Sequence, residues 1–266
     1  MLCVTPCFSE YERAFRLAGI PVHEWPLSPE ASFAIDMPAF LRKLDRLADL
    51  GGIVIGHPNN PTGTLWEMDS LLRLLEYCEK RDIHLVVDET FIDFAGWEYS
   101  LLKRVEQSKV LILVQSLTKF YALPGLRLGY GVTSPEVANR IKAFRPPWSV
   151  NSLAQKIGIA VLGDTEFKKR SRQYVEQEKD YLRREMAAIR SILAFPSHAN
   201  FLLFRLRDEN TQTPGRLYQN LLRDGILIRN CGNFGGLNTR FFRVAVKKSK
   251  ENDFLLAMLN KHLVAE

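Results

Sequence analysis

The chain has 266 residues, with 36 lysines and arginines against 30 aspartates and glutamates, so its formal charge is +6. With 46% apolar and 25% charged residues it can bury a core large enough to offset ordering entropy, which excludes a disordered chain. Its apolar runs, such as 110–114, are far too short for a membrane helix, and its mild, dispersed positive charge lacks the interleaved aromatics of a nucleic-acid groove, so neither a membrane nor a nucleic acid is an expected partner.

In chain order, the residues after Pro6 run straight into Glu10, Glu12 and Arg13 without a basic leader, so no signal peptide is expected. Ser9 and Glu12 are spaced as a capping box, and Tyr11, Phe15 and Ala18 recur at helical spacing until Gly19. Asp36 and Pro38 open a second helix, whose Phe40, Leu41, Leu44 and Leu47 share a face up to Gly51 and Gly52. Residues 53–55 read as a buried strand, 67–80 as a helix, and 84–87 and 110–114 as further strands. This strand–helix alternation predicts an α/β fold, a mostly parallel sheet sandwiched by helices. After Pro146 and Pro147 a helical region spans 151–192, with Gly163 as its break, and the cluster Lys168, Lys169, Arg170 and Arg172 reads as a solvated helix face. A strand over 201–206, a helix opened by Pro214, strands near 226–228 and 241–246 and a closing helix complete a smaller α+β unit. The expected organisation is a large domain over 1–150, a connecting helix over 151–190 and a small C-terminal domain over 191–266.

Cys3, Cys7, Cys78 and Cys231 form no C-x-x-C pair and no cluster with the five histidines, so neither a disulfide framework nor a metal site is expected, and a reducing cytoplasm is the expected location.

Ligands of a parallel sheet collect outside the carboxyl ends of its strands. Three polar segments fall there: Asn59-Asn60-Pro61-Thr62-Gly63, then Asp88-Glu89, then Ser116-Leu117-Thr118-Lys119 with Pro124-Gly125-Leu126-Arg127 behind it. Each alone is ordinary loop chemistry; their joint placement on one rim is not.

In this order the motifs resemble the fold type I pyridoxal-phosphate aminotransferase superfamily, class I/II, over nearly the whole chain. The resemblance implies that Lys119 bonds covalently to the cofactor aldehyde, a role that calls for a partly desolvated amine. It implies that Asp88 holds a proton on the cofactor ring nitrogen, without which the ring is a poor electron sink. Asn60 matches the side chain that binds the ring hydroxyl oxygen, Ser116 and Arg127 match phosphate ligands, and Phe8 matches the aromatic stacked on the ring. Phe8 is equally well explained as core. Arg243, within Phe241-Phe242-Arg243-Val244-Ala245-Val246, resembles the arginine that grips the substrate carboxylate, and an arginine among apolar strand residues needs an anion to balance it. The competing reading is a surface arginine on the open face of an edge strand. Arg229 is a candidate for a second anionic group, or equally a structural ion-pair partner.

Within the superfamily, the segments 8–14, 88–94, 116–129, 147–151, 228–231 and 242–246 resemble the histidinol-phosphate aminotransferase group and, inside it, the threonine-phosphate decarboxylases of cobalamin biosynthesis. Aminotransferases of the group carry a tyrosine three residues after the ring-nitrogen aspartate; here Phe91 stands there and has no donor. That departure suits decarboxylation. The implied reaction converts L-threonine O-3-phosphate to (R)-1-amino-2-propanol phosphate. The alternatives are a histidinol-phosphate-type aminotransferase and an inactive truncated remnant, because the family has a further N-terminal portion before Phe8, with a Gly-rich phosphate-binding turn, that this sequence does not contain. A small phosphorylated amino acid is the implied substrate and a homodimer the implied assembly.

Overall fold

A computed structural model describes residues 1–207 and 213–263. The elements are β1 (Leu2–Thr5), α1 (Ser9–Leu17), β2 (His23–Pro26), α2 (Met37–Leu44), β3 (Gly52–Gly56), α3 (Met68–Arg81), β4 (His84–Asp88), the single turn α4 (Ile92–Ala95), β5 (Leu111–Ser116), β6 (Gly129–Thr133), α5 (Pro135–Phe144), α6 (Ser152–Gly163), α7 (Thr165–Ala188), β7 (Ile192–Ala194), β8 (Phe201–Leu206), α8 (Pro214–Arg223), β9 (Arg229–Asn230), β10 (Phe241–Ala245) and α9 (Ser249–Leu263). No helix among the described residues is long and apolar enough to cross a membrane.

The first sheet has the order β2-β1-β3-β4-β5-β6; its pairings are parallel except for the antiparallel edge strand β6. The second sheet, β7-β8-β10-β9, is antiparallel in every pair. The α/β architecture expected from alternation is therefore present. β3 is buried at every position, as a strand covered on both faces must be, and α3 turns Leu71, Leu74, Leu75 and Cys78 onto it at helical spacing. A second core gathers Leu182 and Met186 of α7, Leu255 and Leu259 of α9 and the inner face of β8 and β10. A third cluster, Phe91, Phe94, Phe120, Tyr121 and Phe201, bridges the two sheets.

Several local expectations change. α1 has no side-chain cap: the helix starts at Ser9 itself, and the Glu12 carboxylate accepts from the Arg16 guanidinium, so no capping box forms. α2 does take Asp36 as its cap, through Ala39 N–H at 2.9 Å, but it ends at Leu44, where the Asp45 carboxylate accepts from Tyr77 and Arg81 of α3. The anticipated strand over 226–228 has no regular secondary structure and leads to the two-residue β9 instead. The helical region does break beside Gly163, where Asp164 caps α7 through Phe167 N–H. All four cysteines are free and buried.

Candidate functional site

The carboxyl ends of β3, β4 and β5 face the second sheet across a cleft of about 420 Å³. Backbone bonds lock this rim: His57 N–H donates to the Asp88 carbonyl at 2.8 Å and Glu89 N–H to the Val114 carbonyl at 2.8 Å. The loop after β3 is held by Asn59, whose amide donates to the Pro6 carbonyl at 2.8 Å and to the Thr62 hydroxyl at 2.9 Å. Gly63 closes that loop with φ +72°, and a Cβ there would sit 2.1 Å from the Ser197 hydroxyl oxygen, so only glycine fits.

His57 is fully buried and saturated: its Nδ1 accepts from Trp66 N–H at 3.2 Å, and its Nε2 then donates to the Tyr99 carbonyl at 3.0 Å. Burial, and secondarily His198, pushes its pKa down to about 4, against the Tyr99 carbonyl, which raises it. The unfolded chain therefore binds a proton that the native one refuses between pH 6.5 and about 4, so stability falls as pH falls through that window. We expect a loss of about 2 kcal/mol from this residue between pH 6.5 and 4.5, seen in urea unfolding at those two pH values and flattened in His57→Gln.

Lys119, Asp88, Asn60, Phe8, Arg229 and Arg243 all line the one cleft, with Tyr11, Thr90, Phe91, Asn200 and Phe201. Asp88 sits at the end of β4 with each carboxylate oxygen engaged. Oδ1 accepts from Thr90 N–H at 2.9 Å and the Thr90 hydroxyl at 2.5 Å; Oδ2 accepts from the Tyr11 hydroxyl at 2.5 Å. Phe8, a lining residue of the cleft, is 40% exposed and takes Tyr11 edge-on at 5.7 Å between ring centroids. Phe91 is buried against Phe201, edge-on at 5.1 Å.

Arg243 is half-buried on β10, an interior strand rather than an edge, so the surface-arginine reading does not apply. It donates to Asn60 Oδ1 and lies 4.9 Å over the Phe201 ring. Arg229 is its direct cross-strand partner, exposed, donating to Asn233 at 2.8 Å and stacked 5.4 Å from the Phe234 ring. Two like charges placed opposite each other in a sheet repel. Burial alone already disfavours the charge on Arg243, and Arg229 adds to it. An anion in the cleft relieves both.

Two predicted residues stand apart from the cleft lining. The Ser116 hydroxyl pairs with that of Thr118 at 2.8 Å, and Arg127, exposed, donates to the Pro124 carbonyl at 3.0 Å. Lys119 is exposed rather than desolvated, standing in the turn that follows β5. Tyr11 and Thr90 escaped the sequence reading, Tyr11 because its spacing identified only a helix face. Thr90 was within reach of the sequence, since an aspartate side chain commonly accepts from backbone two residues on. The set fits pyridoxal phosphate at its ring end: an amine, a doubly anchored carboxylate, an amide and an open aromatic face converge on one volume.

The family model for aminotransferase class I and II matches residues 1–259. The threonine-phosphate decarboxylase of Salmonella typhimurium (strain LT2) is 35% identical over 263 residues, 98% of this chain and 70% of that protein. The histidinol-phosphate aminotransferase of Oleidesulfovibrio alaskensis is 31% identical over 265 residues, 99% of this chain and 67% of that one. Among solved structures, the histidinol-phosphate aminotransferase from Clostridium acetobutylicum superposes with a TM-score of 0.91 at 33% identity, covering 98% of this chain and 76% of that one. The chain is thus a member of the aminotransferase class I and II family, whose enzymes depend on pyridoxal phosphate.

Proposed function

We propose that the protein decarboxylates L-threonine O-3-phosphate to (R)-1-amino-2-propanol phosphate. The observation that carries this reading is the facing of two ends of one cleft: Lys119 and Asp88 on the first sheet, the Arg229–Arg243 pair on the second. Pyridoxal phosphate, when bound, supplies the electron sink into which the breaking Cα–carboxylate bond delivers its electrons.

The chain's own residues do the rest. Lys119 would hold the cofactor through its aldehyde and, once its amine is free again, would be the proton donor to Cα, the position that carbon dioxide leaves. Asp88 would hold the ring-nitrogen proton, and Asn60, whose Oδ1 already accepts from the Arg243 guanidinium, would link the ring hydroxyl to that arginine. Phe8 supports one face of the ring. Ser116 and Arg127, at the end of β5 and in the turn beyond it, serve the cofactor phosphate. Arg243 takes the substrate carboxylate and Arg229 the substrate phosphate, two anions on two adjacent cations. Holding the carboxylate would set the rotation about Cα, and in this reading would favour carboxylate loss over proton loss. Phe91 supports the decarboxylase over transamination, because it offers no hydroxyl to the ring oxygen. The 35% identity to a threonine-phosphate decarboxylase points the same way.

The test incubates protein, pyridoxal phosphate and phosphothreonine and measures carbon dioxide. Its release, without glutamate formation when 2-oxoglutarate is added, is the expected result; glutamate without carbon dioxide, given an amino donor such as histidinol phosphate, overturns the reading in favour of the aminotransferase. Arg243→Ala is expected to lower kcat/KM about 100-fold, through kcat as well as KM because the carboxylate loses its orientation along with its charged contact, and Arg243→Lys to recover only part of it.

A further inference from the structure

Phe91 removes the usual hydroxyl on the oxygen side of the cofactor ring, and Tyr11 is the one tyrosine lining the cleft among the described residues. Its hydroxyl is not spent on the cofactor but on Asp88 Oδ2, while Thr90 holds Oδ1 from the other side. A carboxylate on a flexible side chain at a strand end rotates freely unless both oxygens are engaged. Here the three donors come from two directions, α1 below and the turn after β4 beside, so the carboxylate plane is set before any ligand arrives. Preorganised geometry of this kind is what lets a charged group act without reorganising during reaction.

We propose that Tyr11 and Thr90 are positioning residues that clamp Asp88 and aim it at the cofactor ring nitrogen, so that proton control in this site rests on the nitrogen side of the ring. The proposal rests on the reading that Asp88 meets that nitrogen. The groups facing Tyr11 are Asp88 in front and the Cys7 and Cys3 thiols of the β1 segment behind; burial first, then Asp88, keeps its hydroxyl protonated to well above the usual tyrosine range, so it remains a donor. Tyr11 also meets Phe8 edge-on, so the clamp on Asp88 packs against the aromatic side chain of the cleft.

The experiment compares two ligands by fluorescence titration of the intact chain: pyridoxal phosphate and its carbocyclic analogue with CH in place of the ring nitrogen. Tyr11→Phe and, separately, Thr90→Val are expected to weaken pyridoxal phosphate about tenfold, the effect of one hydrogen bond to a charged group, and the analogue less than about twofold. An equal loss for both ligands, or none for either, overturns the clamp while leaving the proposed function standing. Wild-type protein that takes up no pyridoxal phosphate at all overturns both. Should Tyr11→Phe fail to fold, Thr90→Val is read by the same nitrogen-selective criterion.

Discussion

Replacing Lys119 with alanine is expected to abolish covalent capture of pyridoxal phosphate and to lower turnover by on the order of 10³-fold or more, because in the proposed mechanism the same amine both binds the aldehyde and moves the proton. After borohydride reduction, wild-type protein is expected to carry one cofactor mass on the peptide containing Lys119, and Lys119→Ala none. The variant keeps its fold: Lys119 is exposed, and its neighbours Leu117 and Phe120 carry the packing. Melting curves that coincide while the adduct disappears separate chemistry from stability. An adduct that persists on another lysine sinks the assignment.

The second large effect falls on a residue beside the chemistry. Glu89 is fully buried at the end of β4, and its carboxylate accepts from the Ser100 hydroxyl at 2.7 Å, Leu101 N–H at 2.9 Å and the Gln115 amide at 2.6 Å. Burial raises its pKa, and those three donors act against the rise. Glu89→Ala removes the acceptor of all three and leaves a cavity, so we expect a loss of about 3–5 kcal/mol in urea unfolding, a large part of an ordinary domain's stability. Glu89→Gln keeps the shape and one acceptor oxygen and is expected to lose about half as much. Because Glu89 fixes the turn that carries Asp88, cofactor affinity is expected to fall with stability in both. A Glu89→Ala protein as stable as wild type removes this account of the rim.

The sequence was informative where physics is local. The alternation of buried strand runs with amphipathic helices is set by period, so the α/β class, the extents of α3 and β8 and the break at Gly163 were legible before any coordinates. The order of polar motifs at strand ends was legible for the same reason, since parallel strands align those ends. β1, β2 and β6 went unread: two are four-residue strands with no alternation to detect, and β6 is glycine-rich and gains its identity by pairing with β5.

Tertiary structure alone settled the environment of each site residue. Single positions in sequence carry no record of which distant donor meets an aspartate, so the Tyr11 bond to Asp88, across 77 residues, could not be read. Nor could the cross-strand seat of Arg229 beside Arg243, which places two cations distant in sequence opposite each other. Residue types along the chain determine which chemistry is possible; long-range pairing, with the burial and repulsion it brings, decides which of those groups face one another.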